Sequence, residues 1–130
     1  MDAAQALGEL MELSSQVTAA VVLDGDGAVL ASSSVDSART EALGAAIQEL
    51  VAAAADLGAE GRDVTRVEVE LDGGAFFVVR ECGHTVGATT GPDPTSGLVV
   101  YDLRTCAQTI APPEPKKRRA RKPKAEAEAE

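Results

Sequence analysis

The stretch VTAAVVLDGDGAVLASSS, residues 17–34, contains two apolar segments separated by Asp24-Gly25-Asp26-Gly27. Its first segment, residues 17–23, is continuous and rich in β-branched side chains, which favour strands. Aspartate and glycine between two such segments are typical of a tight turn that joins antiparallel strands. Residues 17–34 therefore predict a β-hairpin. A plain turn is favoured over a calcium loop, because the other ligand positions of an EF-hand are missing.

A long helix is predicted directly after the hairpin, from Asp36 or Ser37 to about Leu57. Gly58 is expected to end it in the left-handed conformation. The apolar arc of this helix spans roughly half of the circumference, which is wider than the stripe of about 100° that packing on one sheet requires. A second copy of the chain beside its small residues would explain that width, although an alanine-rich helix can also reflect helix propensity alone. The centre of the arc is formed by Leu43, Ile47, Leu50, Ala54 and Leu57.

The flanking segments predict another helix and three more strands. Asp2 is suited to cap a first helix that runs to about Ser14. Residues 65–71 alternate between apolar and charged side chains, which predicts a strand with one wet face. A continuous apolar run at residues 75–82 predicts a strand that is covered on both sides. Residues 85–90, TVGATT, predict a weaker fifth strand.

A third helix is predicted near the end of the folded region. A turn is expected at Gly83-His84, and the loop GPDPTSG, residues 91–97, leads into the helix. Helical spacing is shown by Leu98, Val99, Asp102, Leu103 and Cys106. The element order is therefore α-β-β-α-β-β-β-α, which predicts an α/β domain of the α+β type.

Composition divides the chain into a folded domain, residues 1–111, and a tail, residues 112–130. The domain holds seventeen of the 21 acidic residues and five of the 12 basic ones, so its net charge is −12 within a total of −9. Such a surface repels nucleic acid and anionic membranes. Aromatic residues make up only 2% of the chain, so the core consists of small aliphatic side chains and gains from self-association. The tail, which is rich in proline and charge, is expected to be disordered.

The sequence offers no convincing site for catalysis, a cofactor or a metal. It lacks the glycine-rich loops that hold nucleotide phosphates. The single histidine, His84, is expected to be an exposed turn residue, and Cys82 and Cys106 are expected to be buried, reduced thiols outside any zinc spacing. The N-terminus has no basic residue of the kind that begins a signal peptide, and no apolar run approaches the roughly 20 residues of a membrane span. We therefore predict a cytoplasmic protein that is not an enzyme.

The tail contains a basic run without an aromatic residue that would stack on bases. It is suited to electrostatic contact with an anionic membrane, a nucleic acid or an acidic protein, or it serves only to keep the chain soluble. The run consists of Lys116, Lys117, Arg118, Arg119, Arg121, Lys122 and Lys124.

Three stretches give the chain a resemblance to the Roadblock family of dynein-light-chain-like domains, which includes bacterial regulators of Ras-like GTPases. They are VTAAVVLDGDGAVLASSS, the helix SARTEALGAAIQELVAAAADLG, and the closing loop and helix GPDPTSGLVVYDLRTCAQ. The resemblance implies a five-stranded antiparallel sheet between helices. It also implies a homodimer in which the second helices lie side by side and the third strands extend one sheet. Members of the family present a dimer surface to a GTPase and sometimes accelerate hydrolysis by remodelling its switch loops.

The expected function is therefore a homodimeric scaffold that binds and regulates or recruits a small Ras-like GTPase, without a cofactor. The alternatives are a dimerisation module whose tail binds nucleic acid or anionic membrane, and a small-molecule sensor. The predicted dimer interface consists of Gly44, Ile47, Val51, Ala54, Val67 and Val69. The predicted partner surface, on the exposed side of the second helix, consists of Glu41, Gln48, Glu49, Ala52 and Asp56.

Overall fold

The computed structural model describes residues 1–58 and 63–110 of the chain. Within these residues it contains three helices and five strands in the predicted order. They are α1 (Ala3–Leu13), β1 (Val17–Leu23), β2 (Val29–Ser32), α2 (Ser37–Leu57), β3 (Arg66–Leu71), β4 (Gly74–Glu81), β5 (His84–Thr90) and α3 (Ser96–Thr109). The predicted tail lies outside the described residues.

The strands form one antiparallel sheet in the order β2-β1-β5-β4-β3. Strand β5, which the sequence predicts as the weakest, occupies its centre and pairs with both β1 and β4. Its glycine has a packing role, because a Cβ atom at Gly87 would collide with the side chain of Ile47. The small residues of β5 therefore let α2 approach the middle of the sheet.

Helices cover both faces of the sheet. One face packs against α1 and α3 through a core that includes Leu7, Leu10 and Leu103, and the other packs against α2 through a core that includes Ile47. Strand β4 contributes alternate residues to the two cores: Ala75, Phe77 and Val79 face α1 and α3, whereas Phe76 and Val78 face α2. This division explains the continuous apolar run of β4 and confirms that the strand is covered on both sides.

The helix starts follow the predicted capping. Asp2 caps α1 and forms a reciprocal pair with Gln5, and the carboxylate of Asp36 accepts hydrogen bonds from the first backbone amides of α2. The predicted left-handed stop at Gly58 is wrong, because Gly58 has an extended backbone with a φ of −77°. Its amide donates to the carbonyl of Ala55 instead, which closes the last turn without a left-handed residue.

Two leucines predicted on apolar helix faces are exposed. Leu57 is 88% exposed, because the buried residues of α2 lie in its middle, at Gly44 and Ile47, and its last turn has none. Leu98 is 51% exposed because the buried face of α3 is rotated by one position. That face consists of Val99, Val100, Leu103, Cys106 and Ala107.

Candidate protein-interaction site

Helix α2 rests on its own sheet through a small contact area in its middle. Ile47 is fully buried above Gly87 in β5. Gly44 lies against the β1–β2 hairpin, since a Cβ atom there would stand 3.4 Å from Val29 and 3.8 Å from Leu23. The structure thus places these two residues of the predicted dimer interface inside the protomer. Both distances are ordinary van der Waals contacts, so the space at position 44 would also accept a methyl group.

The other four residues of the predicted interface lie at the margin of the same core. Val51 and Ala54 on α2 and Val67 and Val69 on β3 are all half-buried. Leu43 and Leu50 of α2 are partly buried beside them. The structure therefore brings together a strip of half-covered apolar side chains between α2 and the β3 edge of the sheet.

Strand β3 forms an edge of the sheet, with β4 on one side and no other described strand beyond it. The amide of Arg80 in β4 donates to the carbonyl of Thr65 at 3.0 Å, so these two residues form a hydrogen-bonded pair. Such pairs alternate along an antiparallel ladder. The backbone groups of Val67 and Val69 therefore face β4, and those of Arg66, Glu68 and Glu70 face the open side.

The exposed side of α2 carries the five residues of the predicted partner surface. Glu41, Gln48, Glu49, Ala52 and Asp56 are all exposed. Three of the five are acidic, so this face is suited to a partner with a basic patch.

Gln48 has an additional contact that the sequence analysis missed. Its side-chain amide donates to the carbonyl of Gly27 at 2.7 Å and so ties α2 to the β1–β2 turn. Gly27 has a φ of +89°, and a Cβ atom there would lie 2.6 Å from the amide nitrogen of Gln48. The turn itself is organised by Asp24, whose carboxylate accepts from the amides of Asp26 and Ala28 at 2.8 and 2.9 Å. The sequence contains one indication of this contact: Gln48 follows Gly44 by one helical turn, so both residues lie on the side of α2 that faces the β1–β2 hairpin.

His84 is not the exposed turn residue that the sequence predicts. The β4–β5 turn consists of Cys82 and Gly83, which have φ values of +55° and +80°. His84 is already the first residue of β5 and is only 8% exposed, and its Nδ1 atom has no hydrogen-bond partner among the described residues. The alternating pattern of β5 contains the signal, because Val86, Ala88 and Thr90 at the same spacing are also buried.

The two cysteines have different environments and do not form a disulfide bond. Cys106 is buried in α3 as predicted, and this burial raises the pKa of its thiol to about 11. Cys82 is exposed in the β4–β5 turn, so the prediction that it is buried is wrong. The reason is the tight turn itself, which directs this position away from both cores.

An ion pair attaches α3 to the sheet. Arg104 and Glu81 approach to 2.7 Å, and the side chain of Gln108 donates to the second carboxylate oxygen. The hydrogen bond from Gln108, with that from Arg104, lowers the pKa of Glu81 below its usual value. These groups hold two elements together. Within residues 1–58 and 63–110, no three His, Cys, Asp or Glu side chains are grouped so that they would hold a metal ion.

The structure also bears on membrane insertion. In the parts of the chain described, no helix combines the length and the apolar character needed to cross a bilayer.

Comparison with solved structures supports the fold assignment. A Roadblock/LC7 domain from Streptomyces avermitilis has a TM-score of 0.72 and 23% identity, over 83% of this chain and 93% of that chain. An MglB protein in a tetrameric arrangement has a TM-score of 0.59 and 16% identity, over 83% of this chain and 84% of that one. MglC from Myxococcus xanthus has a TM-score of 0.53 and 16% identity, over 80% of this chain and 92% of that one.

Comparison at the sequence level identifies the family. No curated protein matches the chain. A family model described as the Roadblock/LC7 domain matches residues 4–86, which is more than half of the sequence. Together with the element order and the sheet between helices, this match confirms the resemblance on which the fold prediction was based. The chain belongs to the Roadblock/LC7 family.

Proposed function

We propose that this chain is a non-enzymatic, homodimeric scaffold in the cytoplasm that binds a small Ras-like GTPase and regulates or recruits it. Membership of the Roadblock/LC7 family, whose fold serves regulation and scaffolding, supports this role. The observation that carries the proposal is the open β3 edge beside a half-covered apolar strip. Both features lie at the same edge of the sheet, so one second copy would cover them together.

Pairing of two β3 strands would satisfy the open backbone groups. The outward-facing amides and carbonyls of Arg66, Glu68 and Glu70 would bond to the same groups of the second copy, which removes an edge that invites aggregation. Two sheets would then continue into one. Val67 and Val69, which are half-buried in one chain, would lose further contact with water as the α2 helix of the second copy approaches.

The charges of β3 are compatible with one register of this pairing. A two-fold axis beside Val67 would place Arg66 of one copy opposite Glu68 of the other, twice across the interface. These residues already attract each other within one strand, where Arg66 and Glu68 approach to 3.2 Å. The charges that otherwise would discourage strand pairing therefore favour it in this register.

A proline substitution tests the strand pairing without disturbing β4. Glu68→Pro removes an amide that faces the open side, and proline is tolerated on edge strands where its nitrogen faces solvent. We expect the full chain to have the mass of a dimer by light scattering and Glu68→Pro to have that of a monomer. Glu68→Ala is the matched control, since it loses the same carboxylate but keeps the amide, and it should remain dimeric. A monomeric full chain, or a dimeric proline variant, would contradict the β3 interface.

The GTPase part of the proposal is tested separately. A Ras-like GTPase from the same genome, loaded with GDP or with a non-hydrolysable GTP analogue, is titrated into the dimer by calorimetry. We expect preference for the GTP-analogue state, with loss of binding when Glu49 and Asp56 on α2 are both changed to Lys. Glu9→Lys on α1 is the control and should bind normally. A dimer whose binding does not depend on the nucleotide would contradict the proposal that a Ras-like GTPase is the partner.

A further inference from the structure

A second surface lies at the opposite edge of the sheet, between α1 and the edge strand β2. Two adjoining cavities of about 750 and 380 Å³ share Ala4 and Leu30 as lining residues. The larger one reaches the β4–β5 turn, and the smaller one follows α1 as far as Met11. We call this continuous depression the α1–β2 groove. The surface of the groove is mostly apolar. Its α1 side is shallow, because Ala4 and Gly8 are exposed and have small or no side chains, and nothing lies within 4 Å of a Cβ atom at Gly8.

The tail begins at one end of this groove. Ile110, which directly follows α3 and is buried, lines the larger cavity together with Ala3 and His84. The next five residues, APPEP at positions 111–115, contain three prolines and no basic residue. Proline cannot donate a backbone hydrogen bond, so such a segment suits an apolar groove better than a strand edge.

The lengths of the segment and the helix match. Five residues in an extended proline-rich conformation span about 15 Å at roughly 3.1 Å per residue. The eleven residues of α1 span about 16 Å at 1.5 Å per residue. A segment that starts at Ile110, near the N-terminal end of α1, and follows the groove would therefore bring Lys116 to the C-terminal end of α1.

The charges at that end are complementary to the basic run. The first 38 residues, which contain α1 and β2, include no Lys, Arg or His. Glu12 is exposed in the last turn of α1, and the C-terminal end of a helix carries a partial negative charge. No cation of this part of the chain neutralises either. Lys116, Lys117, Arg118 and Arg119 would supply four positive charges at this point.

We propose that residues 111–119 of this chain bind in the α1–β2 groove, with the proline-rich part on the apolar floor and the basic residues beside Glu12 and the end of α1. The tail is then an internal ligand of its own domain. This surface lies at the edge of the sheet away from β3, so the inference stands whether or not the β3 strands pair.

The exposed thiol of Cys82 lines the larger cavity and reports whether it is covered. A tethered segment has an effective concentration on the order of 1 mM, so a Kd of about 0.1 mM would cover the groove in roughly nine molecules of ten and slow alkylation of Cys82 about tenfold. We expect N-ethylmaleimide, which is neutral, to react faster with the full-length Lys116→Glu/Lys117→Glu variant than with the natural chain. Cys106 is buried and contributes little to the signal.

The matched control is Lys122→Glu/Lys124→Glu, which changes the net charge equally but lies beyond the reach of Glu12. It should react at the rate of the natural chain. Equal rates for all three proteins, or equal acceleration by both variants, would overturn the proposal. These variants change only the tail, so the fold of the domain is not at risk.

A spin label locates the segment directly. Ala120→Cys in a Cys82→Ser background is labelled with a nitroxide, and the amide signals of the domain are recorded by NMR. We expect broadening at Met11, Glu12 and Ala31 and none at Val67 on the opposite edge, and the broadening should weaken at high salt. Uniform broadening would overturn the inference. So would broadening that appears in an unlabelled chain mixed with a labelled one, since the occupant would then be the tail of a second copy.

Discussion

At the scale of single residues, the contact between Ile47 and Gly87 decides how α2 lies on the sheet. Ile47 is the largest fully buried side chain that α2 contributes, and the absence of a side chain at Gly87 creates the space for it. The sequence predicts Ile47 at the centre of the apolar arc of α2. It does not indicate that the weak strand TVGATT lies beneath, since that depends on which strands pair across the sheet.

A methyl group at position 87 should therefore be costly. We expect Gly87→Ala to lower the free energy of unfolding by about 1–3 kcal/mol, because Ile47 has to leave its preferred position or α2 has to rise from the sheet. Gly8→Ala is the matched control. It adds the same methyl group in the middle of α1 where nothing is within 4 Å, and should stabilise the chain by about 0.5–1 kcal/mol through helix propensity. Urea unfolding at equal protein concentration measures both, and equal effects would contradict the packing role of Gly87.

His84 and Cys82 show where residue-level prediction fails. The predicted turn, Gly83-His84, lies one residue later than the observed turn. Side chains alternate between opposite faces of a strand, so this shift makes His84 exposed and Cys82 buried in the prediction, the reverse of what the structure shows. The turn at Cys82-Gly83 has positive φ at both residues, and cysteine is not one of the residues that indicate this conformation in a sequence.

At the scale of elements, the sequence determines most helix and strand boundaries here. Strand β1 is predicted at residues 17–23 and occupies Val17–Leu23, and the predicted caps Asp2 and Asp36 start their helices. Local patterns suffice in these cases because capping and apolar periodicity act within a few residues. The neighbours of an element are set by distant parts of the chain. The exposure of Leu57 and Leu98 and the central place of β5 could therefore not be read from local patterns.

The attachment of α3 to β4 predicts a dependence of stability on pH. The pKa of Glu81 is lowered in the folded protein by Gln108 and Arg104, so its carboxylate favours folding above the pKa of the unfolded chain. That contribution is lost as the pH falls through the lowered pKa. We expect the difference in unfolding free energy between the natural chain and Glu81→Gln to be present at pH 7 and to shrink toward pH 3.

Urea titrations at several pH values measure this difference. The control is Glu9→Gln, which removes an exposed carboxylate on α1 that forms no ion pair among the described residues. It should show a smaller dependence, because its carboxylate does not join α1 to another element. A Glu81→Gln effect that is constant between pH 7 and pH 3 would show that Glu81 does not stabilise α3 through its charge.

At the scale of the whole molecule, the site is the least predictable part. Sequence periodicity correctly predicts that all five residues of the predicted partner surface on α2 are exposed, but it wrongly places Leu57 on the apolar face. Periodicity does not distinguish apolar side chains that are buried against the chain's own sheet from those that would be buried only by a second copy. Gly44 and Ile47 belong to the first group, and Val51, Ala54, Val67 and Val69 lie at the margin, because the distinction depends on where α2 meets the sheet.

The proposed register of the dimer predicts a charge-reversal rescue. Arg66→Glu would replace two attractive contacts between copies with two repulsive ones and weaken the dimer roughly tenfold, since cross-strand charge pairs contribute up to about 1 kcal/mol each. Glu68→Arg alone should weaken it similarly, and the double variant should restore it. Sedimentation at several concentrations gives the dissociation constants. A double variant as weak as the singles would place the two-fold axis elsewhere on β3.

The two edges of the sheet differ, and this difference limits how copies of the chain could join by strand addition. Strand β3 presents a regular edge of six residues, whereas β2 has only four and meets β1 with an irregular register at Leu23. If two copies join through β3, each outer end of the combined sheet is a short β2 beside the α1–β2 groove. A third copy would find little backbone to add to there. In such a dimer the β3 edge of each protomer is paired and the β2 edge does not pair, so strand addition stops at two chains. The product is a closed dimer and not a filament.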